Sequence, residues 1–241
     1  MYQPRTYRSQ MQSEDLVSFR VCVAETDLMI SARSDLSAPA FPIVRQAREE
    51  IEQEIALDRR FLVSLEPLAV RKGCGALVRA MYAGAQAAGV GPMAAVAGAV
   101  AEHVARALQP KSAEIVVENG GDIYIISEHN RVVGVQAGES PLSGKVGLNV
   151  PPGELSICTS SGTVGHSLSF GKADAALIAA NEGAVADAMA TALGNRVRQP
   201  EDVQAALDWA QTVSGMRQAL LIIGETMGVW GEFELVPISS A

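Results

Sequence analysis

Residues 186–195 read ADAMATALGN, the end of a run from Gly183 that has the composition of a buried helix. Alanine is the strongest helix former, and Gly194-Asn195 supplies a stop after Leu193. Asp187 and Thr191 stand four residues apart, so a helix stacks them one turn apart on one face. A carboxylate and a hydroxyl in line are hard oxygen donors of the kind Mg²⁺ or Ca²⁺ prefers. The spacing equally suits a structural pair, with the Asp favouring the helix dipole and the Thr bonding back to a carbonyl one turn earlier. A helix so apolar has to be covered on several sides, and the flanking segments offer strands and further helices to cover it.

Upstream, Val17, Phe19, Val21 and Val23 alternate with polar residues, and TDLMISA from Thr26 continues the pattern. This predicts an opening hairpin that turns near Ala24 and Glu25. A loop is expected over residues 34–42. Val44, Ala47, Ile51, Ile55 and Leu62 recur at helical steps and predict a helix over residues 43–63. A small-residue helix is expected over residues 76–88. Gly91-Pro92 opens the next, with Met93, Val96, Val100, Val104 and Leu108 as its buried stripe and Glu102 with Arg106 paired on its exposed side. AEIVVENGGDIYIIS, RVVGVQA, KVGLNV and LSICTS then read as strands, with Pro151-Pro152-Gly153 a turn. ADAALIAA from Ala173 fits strand or helix. Pro200 starts a helix through Val213, and two or three strands close the chain. The sum is one α+β domain with a mixed or antiparallel sheet packed by helices. Its parts are an N-terminal hairpin and helix (16–66), a core region (76–195) and a C-terminal helix with strands (200–238).

The chain has 241 residues, 48% hydrophobic and 19% charged, which describes a globular protein. The net charge of −8 and scattered basic residues argue against nucleic acid as a partner. Cys22, Cys74 and Cys158 lie far apart with no CxxC spacing, so neither a zinc knuckle nor a disulfide framework is expected. Residues 1–16 are polar and lack the apolar core of a secretory signal, which points to the cytoplasm. Residues 81–101 carry no charge over about the length of a membrane span. They are mostly Ala and Gly and are broken at residues 89–92, so two closely packed helices are expected instead of a membrane segment. The stretch around Met93 suits a subunit contact of a homodimer and burial within one chain equally well.

Three other stretches offer chemistry. Glu118 to Tyr124, ENGGDIY, carries a strong hairpin signal at Asn119-Gly120. Its two glycines, Gly120 and Gly121, also bare backbone groups to a ligand beside Asp122. CTSSGTVGHS, from Cys158, places Thr159, Ser160, Ser161, Gly162 and Thr163 at a strand end, a setting for phosphate oxygens or a plain turn. Cys158 with His166 is weighed as nucleophile and base, against a cysteine that is simply core. Residues 89–94 match G-x-G-x-x-A but follow a helix, so the dinucleotide fingerprint fails, leaving only a helix N-terminus open to an anion.

Taken in order, these pieces resemble the ApbE family of flavin transferases, in which an N-x-G-G-D motif, a T-S-G loop and an A-D-A-x-A-T-A helix follow one another. The matching residues are Asn119, Gly120, Gly121 and Asp122, one residue tighter than the family spacing. Then come Thr159, Ser160, Ser161 and Gly162, and finally Ala186, Asp187, Ala188, Ala190, Thr191 and Ala192. The match runs through residues 92–195. The resemblance implies that Asp187 and Thr191 bind Mg²⁺ with a backbone carbonyl, and that the metal holds the pyrophosphate of FAD. It implies transfer of FMN from FAD to a hydroxyl of an acceptor protein, with release of AMP. Asp187 and His166 are then the catalytic candidates. Asn119, Gly120, Gly121, Asp122, Thr159, Ser160, Ser161, Gly162 and Thr163 are the candidates for holding the flavin nucleotide.

The chain departs from that pattern in two places. The family's K-G-x-x-x-D helix reads VAGAVAE here, residues 96–102, with no lysine. Its H-x-x-D-P-x-T-G segment is mostly absent after Gly162, with His166 at a different spacing. These departures, with no export signal, describe a shortened cytoplasmic branch. They keep a non-catalytic flavin, nucleotide or anion binding module open beside the transferase.

Overall fold

The computed structural model describes residues 15–162 and 170–238. Its hairpin is β1 (Val17–Val23) and β2 (Thr26–Ala32), which turn at Ala24-Glu25 as expected. Helix α1 (Ser37–Leu57) starts well before the predicted residue 43. Pro39 and Pro42 suggested a loop, but Pro39 sits in the first turn, where a missing N–H costs nothing, and Pro42 lies close behind. The predicted helix also ends early. Asp58 leaves it in an extended conformation, and the single turn α2 (Arg60–Val63) follows in a new direction. Leu62, expected in the buried stripe, is therefore exposed, and Phe61 is buried edge-on against Tyr82 at 5.1 Å.

Helices α3 (Ala76–Ala88) and α4 (Val96–Leu108) follow, joined through a 3-10 turn at Pro92–Ala95. They pass together for a span's length but bend 105° at the break, and among the described residues no single helix is long and apolar enough to cross a membrane. Strands β3 (Ile115–Asn119) and β4 (Asp122–Ser127) form the predicted hairpin, with Gly120 and Gly121 both at positive φ (70° and 105°). Then come β5 (Arg131–Gly134), β6 (Val146–Val150), β7 (Gly153–Ser160) and β8 (Ala175–Ala180). Helices α5 (Gly183–Gly194) and α6 (Val203–Gln211) precede β9 (Met216–Ile223), β10 (Thr226–Gly231) and β11 (Glu234–Pro237).

The main sheet has eight strands in the order β1-β2-β3-β4-β7-β8-β9-β10, and a second sheet has three, β11-β6-β5. Every recorded pairing is antiparallel. Helices cover one face of the main sheet and the small sheet covers the other, so two cores form. Their division resolves the ambiguous residues 173–180. Ala176, Ile178 and Ala180 enter the helix-side core, while Ala175, Leu177 and Ala179 enter the sheet-side core. That is the two-residue period of a strand buried on both faces.

Helix α5 lies on β7 and β8 and beneath α3 and α4. Glycine permits this crowding. A Cβ added at Gly98 would fall 2.2 Å from the Gly183 carbonyl oxygen, and one at Gly183 would fall 2.2 Å from that of Gly98. Pro92 and Ala95, flanking the half-buried Met93, are buried, and their turn packs on α5.

A second buried polar centre ties the start of the described chain to the β4–β5 turn. Glu114, 1% exposed, accepts hydrogen bonds from the Ser127 hydroxyl (2.8 Å) and the Glu128 amide (3.1 Å). It also bonds His129 Nδ1 (2.5 Å) and the Arg131 guanidinium, which holds Asp15 through two further bonds (2.7 and 2.8 Å). Burial pushes the Glu114 carboxyl up, but Arg131, Ser127 and His129 outweigh it and hold it near 2.

Two predictions follow from these contacts. Gly183→Ala should lower stability by about 3 kcal/mol or block folding. Gly134→Ala, whose methyl meets only the end of Ile238 at 3.1 Å, should stay within about 1 kcal/mol of wild type. Equal losses in urea unfolding would show that α4 and α5 are not in backbone contact. Because the folded-state pKa of Glu114 lies below its ordinary 4.5, its contribution is full above that value and disappears as pH falls toward 2. Glu114→Gln should cost about 3 kcal/mol at pH 7, with the gap to wild type closing between pH 4.5 and 2. A gap unchanged across that range would mean the carboxylate charge contributes nothing.

Candidate functional site

Sheet order places the β3–β4 hairpin beside the end of β7, and strand alternation selects what faces α5. In β3, Ile115 and Val117 enter the helix-side core, so Asn119 lies on that face. In β4, Tyr124 and Ile126 do the same, which puts Asp122 there too. In β7, Cys158 belongs to the helix-side core and Leu155 and Ile157 to the other, so Ser156, Cys158 and Ser160 face the helices while Thr159 turns away. Asn119, Asp122, Ser160 and Asp187 thus converge from three neighbouring strands and one helix.

The two carboxylates are buried, 8% exposed at Asp122 and 9% at Asp187. The Gly98 amide donates to Asp187 Oδ2 at 2.9 Å, and the Thr159 amide donates to Asp122 Oδ1 at 3.1 Å. Among the described residues neither acid has an ion-pair partner. Burial pushes Asp187 up to about 7, against the pull of the Gly98 and Ala97 amides. Asp122 is pushed well above its ordinary range, first by burial and then by the charge of Asp187. The Ser160 hydroxyl is buried with no hydrogen-bond partner among the described residues. Thr191, one turn beyond Asp187, is half-buried.

The glycines are placed differently from a bare anion cradle. The Gly121 amide donates to Glu118 Oε1 at 2.8 Å, and the Gly162 amide donates to the Ala173 carbonyl at 2.9 Å, so neither is free for a ligand. Gly120 and Gly121 serve the turn through their positive φ. Asn119 donates from Nδ2 to the Ala97 carbonyl at 3.2 Å and ties the hairpin to α4. Ser161 lies between Ser160 and Gly162, half-buried. Thr163 and His166 lie outside the described residues. Cys158 is fully buried, and its thiol is pushed well up by burial and by Asp122 and Asp187, the reverse of what a thiolate nucleophile requires. At residues 89–94 the close approach is made by the Ser64 backbone, whose oxygen would lie 1.7 Å from a Cβ on Gly91.

Glu102 is the participant that sequence reading missed. It pairs with Arg106 at 2.8 Å as expected, but its second oxygen accepts the Gly183 amide at 2.6 Å. Helix α5 has no side-chain cap of its own at Glu182, so Glu102 caps it from α4. No local signal announces a cap supplied from so far along the chain. The i,i+4 spacing to Arg106 reads as an ordinary surface pair.

A family model described as AbpE bacteria matches residues 8–234. Similar proteins named UPF0280 protein include one from Methanocella arvoryzae, 39% identical over 87% of this chain and 86% of the relative. Another, from Methanopyrus kandleri, is 40% identical over 90% and 91%, and one from Methanosphaerula palustris is 44% identical over 77% and 78%. Among solved structures, the flavin transferase ApbE from Vibrio cholerae superposes with a TM-score of 0.58 at 13% identity, over 90% of this chain and 96% of that one. The ApbE protein from Thermotoga maritima gives 0.57 at 14%, over 88% and 96%. At such identities the likeness is one of fold, and its extent means that any shortening is local. The chain belongs to the AbpE bacteria family and has the ApbE fold.

Proposed function

We propose that this protein binds FAD together with Mg²⁺ held by Asp187 and Thr191, and transfers the FMN half to a threonine or serine hydroxyl of an acceptor protein. The observation that carries the reading is the buried pair Asp122 and Asp187, without an ion-pair partner among the described residues, on the same face as the unbonded Ser160 hydroxyl. Two buried carboxylates facing one another are costly unless a cation joins them. The carboxylates of Asp122 and Asp187 and the hydroxyls of Ser160 and Thr191 are hard oxygens, which suit a divalent cation of the Mg²⁺ class. When bound, the cation supplies Lewis-acid polarisation of phosphoryl oxygens and charge neutralisation at the leaving group.

The chain's own groups do the rest. The Gly98 amide holds the Asp187 carboxylate in one orientation, and Glu102 fixes the start of the helix that carries it. Ser160 offers a hydroxyl to a ligand oxygen, and burial of the site excludes water that would compete with the acceptor. In the transfer, the acceptor oxygen bonds to the FMN phosphorus, the pyrophosphate P–O bond breaks, and AMP departs with the electron pair. The acceptor proton passes to a base, the role proposed for His166. The unpaired cysteines Cys22, Cys74 and Cys158 support a reducing compartment, the cytoplasm, and we read the chain as one domain.

A second reading, a flavin or nucleotide binding module without turnover, draws support from Ala97, which precedes Gly98 without the amine of the resembling motif.

Incubation with FAD, Mg²⁺ and candidate acceptor proteins should release AMP, measured by chromatography. Asp187→Ala should reduce that release at least about a hundredfold, and Thr191→Val should raise the Mg²⁺ concentration required. FAD bound but intact selects the second reading, and no binding of FAD in either condition sinks both.

A further inference from the structure

We propose that Phe170 and Lys172 form a recognition strip for a planar aromatic ring that carries a phosphate, the ring stacking on Phe170 and the phosphate pairing with Lys172. The inference rests on the flavin-nucleotide reading above and names residues that read the ligand.

Residues 170–173 run exposed, buried, exposed, buried around a bend at Gly171, so Phe170 and Lys172 both reach the surface while Gly171 and Ala173 are covered. The backbone beneath is pinned at each step. The Phe170 amide donates to Asn195 Oδ1 at 2.8 Å, the Lys172 amide donates to the Val197 carbonyl at 2.8 Å, and Ala173 accepts from Gly162 at 2.9 Å. A Cβ on Gly171 would fall 1.9 Å from the Gly194 carbonyl oxygen, and one on Gly162 would fall 2.3 Å from that of Gly171. The strip is therefore wedged between the C-terminal end of α5 and the Ser160–Gly162 end of β7. Asn195, which holds Phe170, bonds through its own amide to the Thr191 carbonyl at 3.0 Å. That places the strip beside both the hydroxyl end of α5 and the serine-bearing strand end.

Among the described residues neither side chain has a recorded hydrogen-bond, ion-pair or ring partner. Phe170 is 55% exposed in a chain with only 5% aromatic residues. Lys172 is exposed and makes no ion pair among the described residues. A rigid backbone that presents a bare aromatic face costs a ligand little entropy on stacking. Residues two apart lie within about 7 Å of each other along the chain, close enough to meet the ring and phosphate of one molecule. An ammonium suits a phosphate as a compact point charge.

Binding of FMN, riboflavin, AMP and inorganic pyrophosphate, each with Mg²⁺, to wild type, Phe170→Ala, Phe170→Trp, Lys172→Ala and Lys172→Arg tests this. Phe170→Ala should weaken FMN and riboflavin alike by about tenfold and leave pyrophosphate unchanged, with Phe170→Trp close to wild type. Lys172→Ala should weaken FMN and pyrophosphate by about fivefold and spare riboflavin, with Lys172→Arg restoring most of the loss. If AMP follows the FMN pattern and riboflavin stays unchanged throughout, the strip reads the adenylate half, and the proposal stands for that ring. Wild-type affinity for all four probes in both alanine variants overturns the proposal, as does an equal loss for all four or no binding to wild type. Absence of Mg²⁺-dependent AMP release from FAD alongside the expected binding pattern would remove the transferase and keep the strip.

Discussion

The contact between the Gly98 and Gly183 backbones sets how closely α4 and α5 approach, and the polar site depends on that approach. With no side chain between them, the Gly98 amide reaches Asp187 and Glu102 of α4 reaches the Gly183 amide. The two hydrogen bonds run in opposite directions across one interface. An amide of α4 serves an acid of α5, and an acid of α4 serves an amide of α5. A methyl group at either glycine would force the helices apart and lengthen both. Packing and the orientation of Asp187 are thus one constraint, which gives the alanine-rich composition of α5 a purpose beyond helix propensity.

Buried carboxylates occur in two settings in this fold, and the difference between them separates architecture from a candidate site. Glu114 is enclosed by Arg131, Ser127, His129 and the Glu128 amide, which together overcome burial and hold it ionised. Asp122 and Asp187 are also buried, yet they have only backbone amides and, at Asp122, the Cys158 thiol as donors, and burial wins. Asp15, Glu114 and His129 bring ligand atoms within 4.8 Å of one another, but the Arg131 guanidinium already bonds both acids there. At Asp122 and Asp187 the described residues supply no compensating cation, a charge that the proposed divalent ion would bring.

The parts legible in the sequence were those with a local cause. The β3–β4 hairpin follows from Asn119-Gly120-Gly121, because only residues tolerant of positive φ make so tight a turn. Helix α5 and its stop follow from composition and Gly194-Asn195. The parts that were not legible depend on distant contacts. Nothing in residues 34–42 reveals that α1 starts at Ser37, since two prolines near its first turns mimic a loop. The alanine-rich run of β8 became a strand because both faces of the sheet are covered, a tertiary fact. Thr159 and Ser160 looked equivalent as hydroxyls, and only the pleat of β7 divides them between faces. Glu102 was half-legible, with its pairing to Arg106 visible and its cap on α5 hidden.

Charge distribution bears on the proposal of a cation-assisted ligand. The protein is acidic. Arg196 beside α5 stacks over Trp209, and several other arginines are committed to carboxylates: Arg48 to Glu25 and Glu52, Arg71 to Glu54, Arg106 to Glu102 and Glu154, Arg217 to Glu232. The nearest of these, Arg106, faces Glu102 and stacks over Tyr124 at 5.2 Å, so its charge is spent holding α4 to the sheet. A phosphate approaching Ser160 therefore meets two acids and no guanidinium from this set. On the proposed reading a divalent cation reverses the sign of that surface, and the Lys172 ammonium adds to it at the periphery. Both routes draw the ligand toward the same end of α5, where Thr191 and Asn195 emerge from the core.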